Sequence, residues 1–458
     1  MSYHEKLCEL AADKNPEYPF NDIGIAKLFY EMHNESICYV VEAKSWYLYD
    51  GRRWKKDDDG LKVMEMCKYF VQEYYKYMDA FRPFDEECLK FAKGLISRKR
   101  RENILNDSRS VNPLSLAQFD KHKFLLNCVN GTYNLADMTF QPHNQNDYIT
   151  KISRASYNTD ATCERWEQFI SEIMCGDGAT ARFLQKALAY SLTGDTSLEC
   201  FFILYGSTTR NGKSTLTETV AYLLKDYART AQPETVSRRS SNGSSPSPDI
   251  ARLKGARYVG LPEPSQGLEL NAALIKQLTG GDTFTGRFLR ENPVEFAPEF
   301  KIFFNTNHLP KNNDDTIFTS GRVKLIPFDR HFSPDEQDNG LKRLFRRPDN
   351  MSGILNWLIE GYRLLQSEGL EVPPRVAQAI ANYRVETDII GDFVNEALVK
   401  CDGKRLQTSE VYSRYTKWSK GNGYRPINNK SFMGELRKRY EVRRNGERGN
   451  EIVDVAFA

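Results

Sequence analysis

The sequence predicts an α/β protein built around a parallel sheet. Three observations lead there. Four short apolar runs, "CFFILYG", "ARYVGLPE", "FKIFFNTN" and "RVKLIPF", recur in the middle of the chain. Helical patterns separate them, and strands alternating with helices call for crossover connections. The first run leads through a glycine-bearing loop straight into a helical pattern, "KSTLTETVAYLLKDYA", with apolar Leu216, Val220, Leu223 and Leu224.

Composition bounds what surrounds this sheet. The 458 residues suffice for two to four domains. Charged residues make up 27% and hydrophobic residues 40%, as in ordinary soluble globular chains. The net charge of +3 means that a nucleic-acid binder would have to concentrate its positive charge locally. The nine cysteines form no C-x-x-C pair, which excludes zinc-finger spacing and suggests reduced thiols in a cytoplasmic setting. The start, "MSYHEKLCELAADKNPEYPF", has no apolar signal core, and no stretch is long and apolar enough to cross a membrane. No membrane partner is expected.

Three units follow in order. Residues 1–155 mix strand-like runs ("SICYVV", "SWYLYDGRRW") with a helical pattern around "LKVMEMCKYFVQEYYKYM", a mixed α+β unit. Residues 156–370 hold the parallel sheet. Residues 371–458 form a small tail unit. Its "TSEVYSRYTKWSKGNGY" predicts a helix ending at Gly421 to Gly423, and "NNKSFMGELRKRY" a second helix capped by Asn or Ser. The Ser-, Gly- and Pro-rich stretch 237–249 predicts a loop.

Between the first apolar run and its helix lies "LYGSTTRNGKSTL", 204–216. Five residues separate Gly206 from Gly212, one more than in a usual phosphate loop. The context is nevertheless the right one. Backbone N–H groups at a helix N-terminus carry partial positive charge and can surround phosphates. Gly206, Asn211, Gly212, Lys213, Ser214 and Thr215 are therefore candidate nucleotide contacts. Gly212 would allow close approach, Lys213 would reach the β- and γ-phosphates, and the Ser214 hydroxyl would bind Mg²⁺. The extra residue can bulge outward, because "NGKST" carries the contacts.

The later strands supply polar ends. "RYVGLPEP" ends in Glu263, an acid that could hold Mg²⁺ or polarise an attacking water. "FKIFFNTNHLP" ends in Asn307, whose amide could orient water against a γ-phosphate. "SGRVKLIPF" sets Arg322 before the last strand. Taken singly, each has a plainer reading: an acid in a Pro-rich turn, an Asx-turn, a solvated arginine. Their joint order, loop then acid, amide and arginine, is far less ordinary.

In that order, "LYGSTTRNGKST", "DIARLKGARYVGLPE", "LIKQLTGGDTFTGRFL", "FKIFFNTNHLP" and "RVKLIPF" resemble the motifs of superfamily three helicases of the AAA+ class. The chain is similar to the phage and plasmid primase–helicase C-terminal family, related to the poxvirus primase–helicase. "WYLYDGRRW", "LLNCVNGTYNLADMTFQPHNQNDYITK" and "LQKALAYSLTGD" resemble the part preceding the motor in that family. The resemblance implies an AAA+ type P-loop ATPase core, with ATP and Mg²⁺ as cofactors. Lys213 and Ser214 fall on the Walker A residues and Glu263 on the Walker B acid. Asn307 falls on the polar sensor, and Arg322 on an arginine finger serving a neighbouring subunit. Here prolines 262 and 264 flank the acid, and "FTSG" precedes the arginine where the family commonly has another arginine.

Two segments suggest DNA contacts. "LTGGDTFTGRFLRENPVEFAP", 278–298, predicts a hairpin with Arg287 and Arg290 near its tip, able to follow phosphates inside a ring. "KSFMGELRKRYEVRRNGER" sets Lys438 and Arg439 on a basic helix before a turn, as in a winged-helix binder. Each could instead be a solvated surface. The reading is an ATP-dependent replicative DNA helicase of a phage, plasmid or mobile element, acting on single-stranded and forked DNA in the bacterial host cytoplasm. It would assemble as a homo-oligomer, a hexameric ring, with a separate primase or initiator as a possible partner. The alternative is an ATP-binding initiator or helicase loader without processive unwinding. Primer synthesis by this chain is not expected: "DDDG" at 57–60 and "FDEE" at 84–87 read as turns and helix starts.

Overall fold

The computed structural model describes residues 2–11, 15–237, 248–265, 267–287, 293–312, 314–424, 426–445 and 449–458. Most of the 237–249 loop therefore lies outside the described residues. At the centre is a five-stranded sheet, its strands labelled here in chain order. They are β1 (Phe201–Tyr205), β2 (Ala228–Thr230), β3 (Tyr258–Leu261), β4 (Lys301–Thr306) and β5 (Val323–Pro327). Their spatial order is β5-β1-β4-β3-β2, and every pairing is parallel. The parallel sheet expected of residues 156–370 is thus present, with a mixed α+β region before it.

The strands are apolar runs because both faces are buried. Side chains alternate between the faces. Phe202, Leu204, Phe303 and Ile326 pack into one core with Leu216, Val220 and Leu223 of the helix Lys213–Leu224. Phe201, Ile203, Phe304 and Leu325 pack into the other, with Ile275 and Leu278 of the helix Ala272–Thr279. The first core also takes in Leu126, Cys128, Tyr133 and Ala155, so packing is continuous across residue 155.

Ahead of the sheet, the helices Asp22–His33, Leu61–Phe81 and Arg98–Ser108 share a core of their own. They flank a small sheet of Trp54–Lys56, Ser45–Tyr49, Ile37–Val40 and Pro113–Leu114, in that order. After the central sheet, the helix Pro374–Glu386 packs back on it through Val376 and Tyr383. The tail then runs helix Ile389–Ala397, strand Leu398–Gln407, helices Thr408–Gly421 and Asn429–Arg437, and strands Val442–Asn445 and Gly449–Phe457. The Asn428 side chain caps the second of those paired helices by accepting from Ser431 N. Phe393, Tyr415 and Phe432 anchor a separate tail core. No helix among the described residues is long and apolar enough to cross a membrane.

Candidate active site

In a parallel sheet the C-terminal strand ends gather loops at one edge, where ligands bind. Here that edge carries the 206–212 loop after β1, Glu263 beyond β3 and Asn307 just past β4. The sheet order puts β4 between β1 and β3, so Asn307 lies between the loop and the acid.

The loop is shaped by close contacts. Gly212 precedes the helix at φ 86°, and a Cβ there would meet Ile173 Cγ2 at 2.4 Å. A Cβ on Gly206 would lie 2.3 Å from Asn211 Nδ2 and 2.5 Å from the Phe328 carbonyl. Both positions therefore exclude any side chain. Asn211 is buried, and its Nδ2 donates to the Thr208 carbonyl at 2.7 Å, folding the loop on itself. The extra residue is accommodated by Arg210 in the left-handed region, at φ 57°. Backbone there is tied to a neighbouring segment: Phe332 N donates to the Arg210 carbonyl at 3.0 Å, and His331 Nδ1 lies 2.8 Å from the Thr209 carbonyl.

Lys213 opens the helix and is only 6% exposed. Its Nζ donates to Asn307 Oδ1 at 2.5 Å and lies 3.4 Å from the Gly206 carbonyl. Desolvation lowers its ammonium to about 8, with the Glu263 charge pulling the other way. Asn307 in turn donates to both Glu263 oxygens, from its backbone N–H at 3.1 Å and from Nδ2 at 3.0 Å. Lys213, Asn307 and Glu263 are thus brought together as one chain of contacts. Ser214 and Thr215 follow on the first turn of the helix, Ser214 exposed and Thr215 half-buried.

The residues fit a nucleoside triphosphate and its Mg²⁺. The helix start offers N–H donors, the two glycines let the loop pack closely against Ile173, Asn211 and Phe328, and a desolvated ammonium gains most from a phosphate. The Ser214 hydroxyl and Glu263 could offer oxygen donors to a hard cation, which usually keeps waters and phosphate oxygens as its other ligands. A cavity of about 360 Å³ opens beside Gly212 and Thr215, walled by Phe169, Phe332 and Leu341 with Arg165 and Glu172. A larger cleft of about 590 Å³ lies between the helix Pro374–Glu386 and the tail unit, remote from this chemistry.

Sequence reasoning missed Asn305 and Thr217. Asn305 Nδ2 donates to Thr217 Oγ1 at 3.0 Å, and that hydroxyl donates to the Lys213 carbonyl at 3.0 Å. The same strand therefore holds Lys213 twice, at its side chain and at its backbone. The signal was available: Asn305 lies two residues before Asn307, and strand side chains two apart share a face.

Other expected site residues lie elsewhere. Arg322 stands at the opposite, N-terminal edge of the sheet, where its carbonyl accepts from Phe201 N at 2.9 Å. Its guanidinium donates to Glu199 Oε2 at 2.6 Å and Thr279 Oγ1 at 2.8 Å. One strand length, about 16 Å for five residues, separates that edge from the loop. Arg322 and the phosphate loop of the same chain are not brought together. The 278–298 segment contains an antiparallel hairpin, Phe284–Arg287 with Pro293–Phe296, rooted by buried Phe284 and Phe296. Arg287 ends its first strand, and Arg290 lies outside the described residues. Lys438 Nζ is 2.6 Å from Glu435 Oε1, and Arg439 Nη2 is 2.6 Å from Asp388 Oδ2.

Residues 26–175 match the family model described as D5 N terminal like, and residues 386–449 match the one described as Poxvirus D5 protein-like. Two separate parts of the chain are thus similar to the poxvirus D5-like primase–helicases. This D5-like chain is 27% identical over 440 residues to a protein of Acanthamoeba polyphaga mimivirus named as a candidate helicase, covering 87% of this chain and 45% of that one. A protein of Frog virus 3 named likewise is 27% identical over 276 residues, 56% of this chain and 28% of that one. A third, from Invertebrate iridescent virus 3, is 22% identical over 499 residues, 92% of this chain and 52% of that one. The D5-like chain thus spans about half or less of the length of these relatives. Among solved structures, the apo C-terminal region of NrS-1 is similar over 95% of this chain and all of that one, at 11% identity and a TM-score of 0.49.

Proposed function

We propose that the chain is the motor of an ATP-dependent DNA helicase of the superfamily three, AAA+ type, serving the replication of a virus or mobile element. The observation that carries this reading is the bridge from Lys213 through Asn307 to Glu263 at the ligand edge of the sheet. The three comparable relatives named above are all viral proteins, which favours a viral over a phage or plasmid setting.

The residues divide the work as follows. Loop N–H groups between Gly206 and Thr215 surround the phosphates, and Lys213 exchanges Asn307 for the β- and γ-oxygens. Asn307, released from Lys213, keeps Glu263 aimed and can orient water. Glu263 takes the proton of the attacking water. Ser214 and Glu263 would hold Mg²⁺, which would supply charge neutralisation to the phosphates. The cavity beside Thr215 accepts the nucleoside, its base against Phe169 and Phe332. Arg322, too far from its own site, serves that of a neighbour in a hexameric ring.

DNA would be gripped twice. The segment 278–298 would grip phosphates inside the ring through Arg287 and Arg290. The tail, whose helix–strand–helix–helix–strand–strand order is that of a winged helix, would dock duplex through Lys438 and Arg439. The units 1–155, 156–370 and 371–458 would be collar, motor and docking domain. The deciding experiment measures ATPase with and without single-stranded DNA, and strand displacement on a fork, for the wild type and Lys213→Ala. Hydrolysis by Lys213→Ala at the wild-type rate would overturn the site. ATPase without strand displacement would point instead to an initiator or loader.

A further inference from the structure

We infer that a cleft in the N-terminal α+β unit receives one nucleotide of a single-stranded nucleic acid, independently of the motor. The cleft has a volume of about 340 Å³ and is walled by Tyr39, Trp46, Lys44, Lys56 and Arg109, with Asp58 and Asp59 on its rim. Three elements build it. Tyr39 and Trp46 face each other across the hairpin of Ile37–Val40 and Ser45–Tyr49, with ring centroids 5.4 Å apart in an edge-to-face arrangement. Lys44 lies in the hairpin turn, held left-handed at φ 46°. Arg109 follows the helix Arg98–Ser108 and lays its guanidinium over the Tyr39 ring, 5.1 Å from the centroid.

Four features point to a nucleotide. First, Arg109 sits over the Tyr39 ring, and unpaired bases stack on arginine planes as well as on aromatic rings. Second, Lys44, Lys56 and Arg109 have no ion-pair partner among the described residues, whereas the neighbouring Lys55 is paired with Asp50 at 2.6 Å. Set against the carboxylates of Asp58 and Asp59, these three cations leave the cleft one positive charge in excess, which favours a single phosphate. Third, Trp46 is 3% exposed, and its indole N–H is buried with no hydrogen-bond partner among the described residues. A buried donor left unsatisfied is rare and calls for an acceptor. Fourth, the carboxylates of Asp58 and Asp59 would repel a bare anion but accept from the exocyclic amines and ring N–H groups of bases. The set therefore suits a base joined to a phosphate better than inorganic phosphate.

Single strand is favoured over duplex because only an unpaired base can leave its stack to lie on Arg109. Trp46 makes the test local, since Trp46→Phe removes an N–H that has no partner among the described residues. Labelled mixed-sequence DNA and RNA oligonucleotides are titrated onto the full chain without nucleotide, with anisotropy and tryptophan emission read together. We expect part of the emission change to vanish in Trp46→Phe. We expect Arg109→Ala, and separately Lys44→Ala with Lys56→Ala, to weaken binding about tenfold at low salt. The double lysine variant should flatten the salt dependence by about 1.4 units of slope, at roughly 0.7 per single-strand phosphate contact. Basal ATPase and melting temperature should stay at wild-type values. Wild-type affinity and slope in both charge variants would overturn the inference. So would an equal Trp46 response to inorganic phosphate or to blunt duplex, or no response to either oligonucleotide.

Discussion

Asn307 donates to both carboxylate oxygens of Glu263 while its own amide oxygen accepts from Lys213 Nζ. One neutral side chain thus spaces an acid from a lysine that would otherwise pair directly. Replacing it should hurt chemistry more than binding. Asn307→Ala frees Glu263 to swing onto Lys213 and, on the proposed reading, removes the amide that would orient water. Such losses cost about 10²-fold or more in kcat. We expect that drop in ATPase, with nucleotide affinity within about threefold of wild type by calorimetry. Equal losses in kcat and affinity would mean that Asn307 only shapes the pocket.

Lys213 should make nucleotide binding pH-dependent. Burial holds its ammonium near 8 rather than 10.5. Between those values the folded chain binds fewer protons than the unfolded one. This group's contribution to stability therefore rises with pH across that window, as the buried charge is relieved. Phosphate binding has the opposite demand, since it needs the protonated amine. ATP binding above pH 8 should thus take up a proton, and affinity should fall by up to about tenfold per pH unit. Calorimetry at pH 8.5 in buffers of different ionisation enthalpy measures the uptake. Zero uptake would show that Lys213 is already charged in the free protein.

Much of this site could be read from the chain because it rests on local rules. A strand, a glycine loop and a helix with one apolar face leave Lys213 little choice of place. Glu263 and Asn307 end apolar runs, and a parallel sheet collects such ends at one edge. Which strand lies between which was not legible, since no local pattern encodes the placing of β4 between β1 and β3. The partners of Arg322 were equally hidden: Glu199 and Thr279 are distant in sequence and meet it only through sheet packing. Lys301 shows the same limit. It opens β4 almost fully buried, and its Nζ donates to the Asp195 and Glu299 carbonyls at 2.9 and 3.2 Å. A lysine at the start of an apolar run gives no hint of that role.

The loop glycines should be irreplaceable for a steric reason. Gly212→Ala would force a Cβ to 2.4 Å from Ile173 Cγ2 at a left-handed φ. Strain and overpacking together should cost about 2–4 kcal/mol. Trimming the obstacle should recover part of this, so Gly212→Ala with Ile173→Ala should melt higher than the sum of the single changes implies. Strict additivity in thermal melts would place the clash elsewhere.

Arg322 and Glu199 form a pair that a trans finger would have to break. Arg322 is half-buried, so Arg322→Ala loses packing as well as charge. Glu199→Gln is the cleaner probe, because it loosens the arginine and keeps the side-chain shape. If the arginine reaches a neighbour's nucleotide, Glu199→Gln should leave ATPase intact or raise it. Mixing Arg322→Ala with Lys213→Ala chains should then restore part of the hydrolysis at mixed interfaces. Mixed rings without any recovered hydrolysis would show that Arg322 is a structural brace.

The tail poses a similar competition on DNA. Arg439 is held by Asp388, which also caps the helix Ile389–Ala397 by accepting from Gly391 N at 2.8 Å. Asp388 lies in the turn joining the helix Pro374–Glu386 to the tail, so the arginine is tied to the tail's own root. On the proposed docking role, DNA phosphates would compete with that carboxylate. Asp388→Asn keeps an acceptor for the cap and removes the charge. It should therefore tighten duplex binding by about 2- to 5-fold at low salt, the scale of one partly exposed ion pair. Arg439→Ala should weaken binding and lower the salt slope by about one unit. In the double variant the gain from Asp388→Asn should vanish, because there is no arginine left to release. Salt-titrated anisotropy on duplex DNA measures all three. If Asp388→Asn tightens binding equally with and without Arg439, the gain is general electrostatics, and Arg439 is a fastener of the tail rather than a DNA contact.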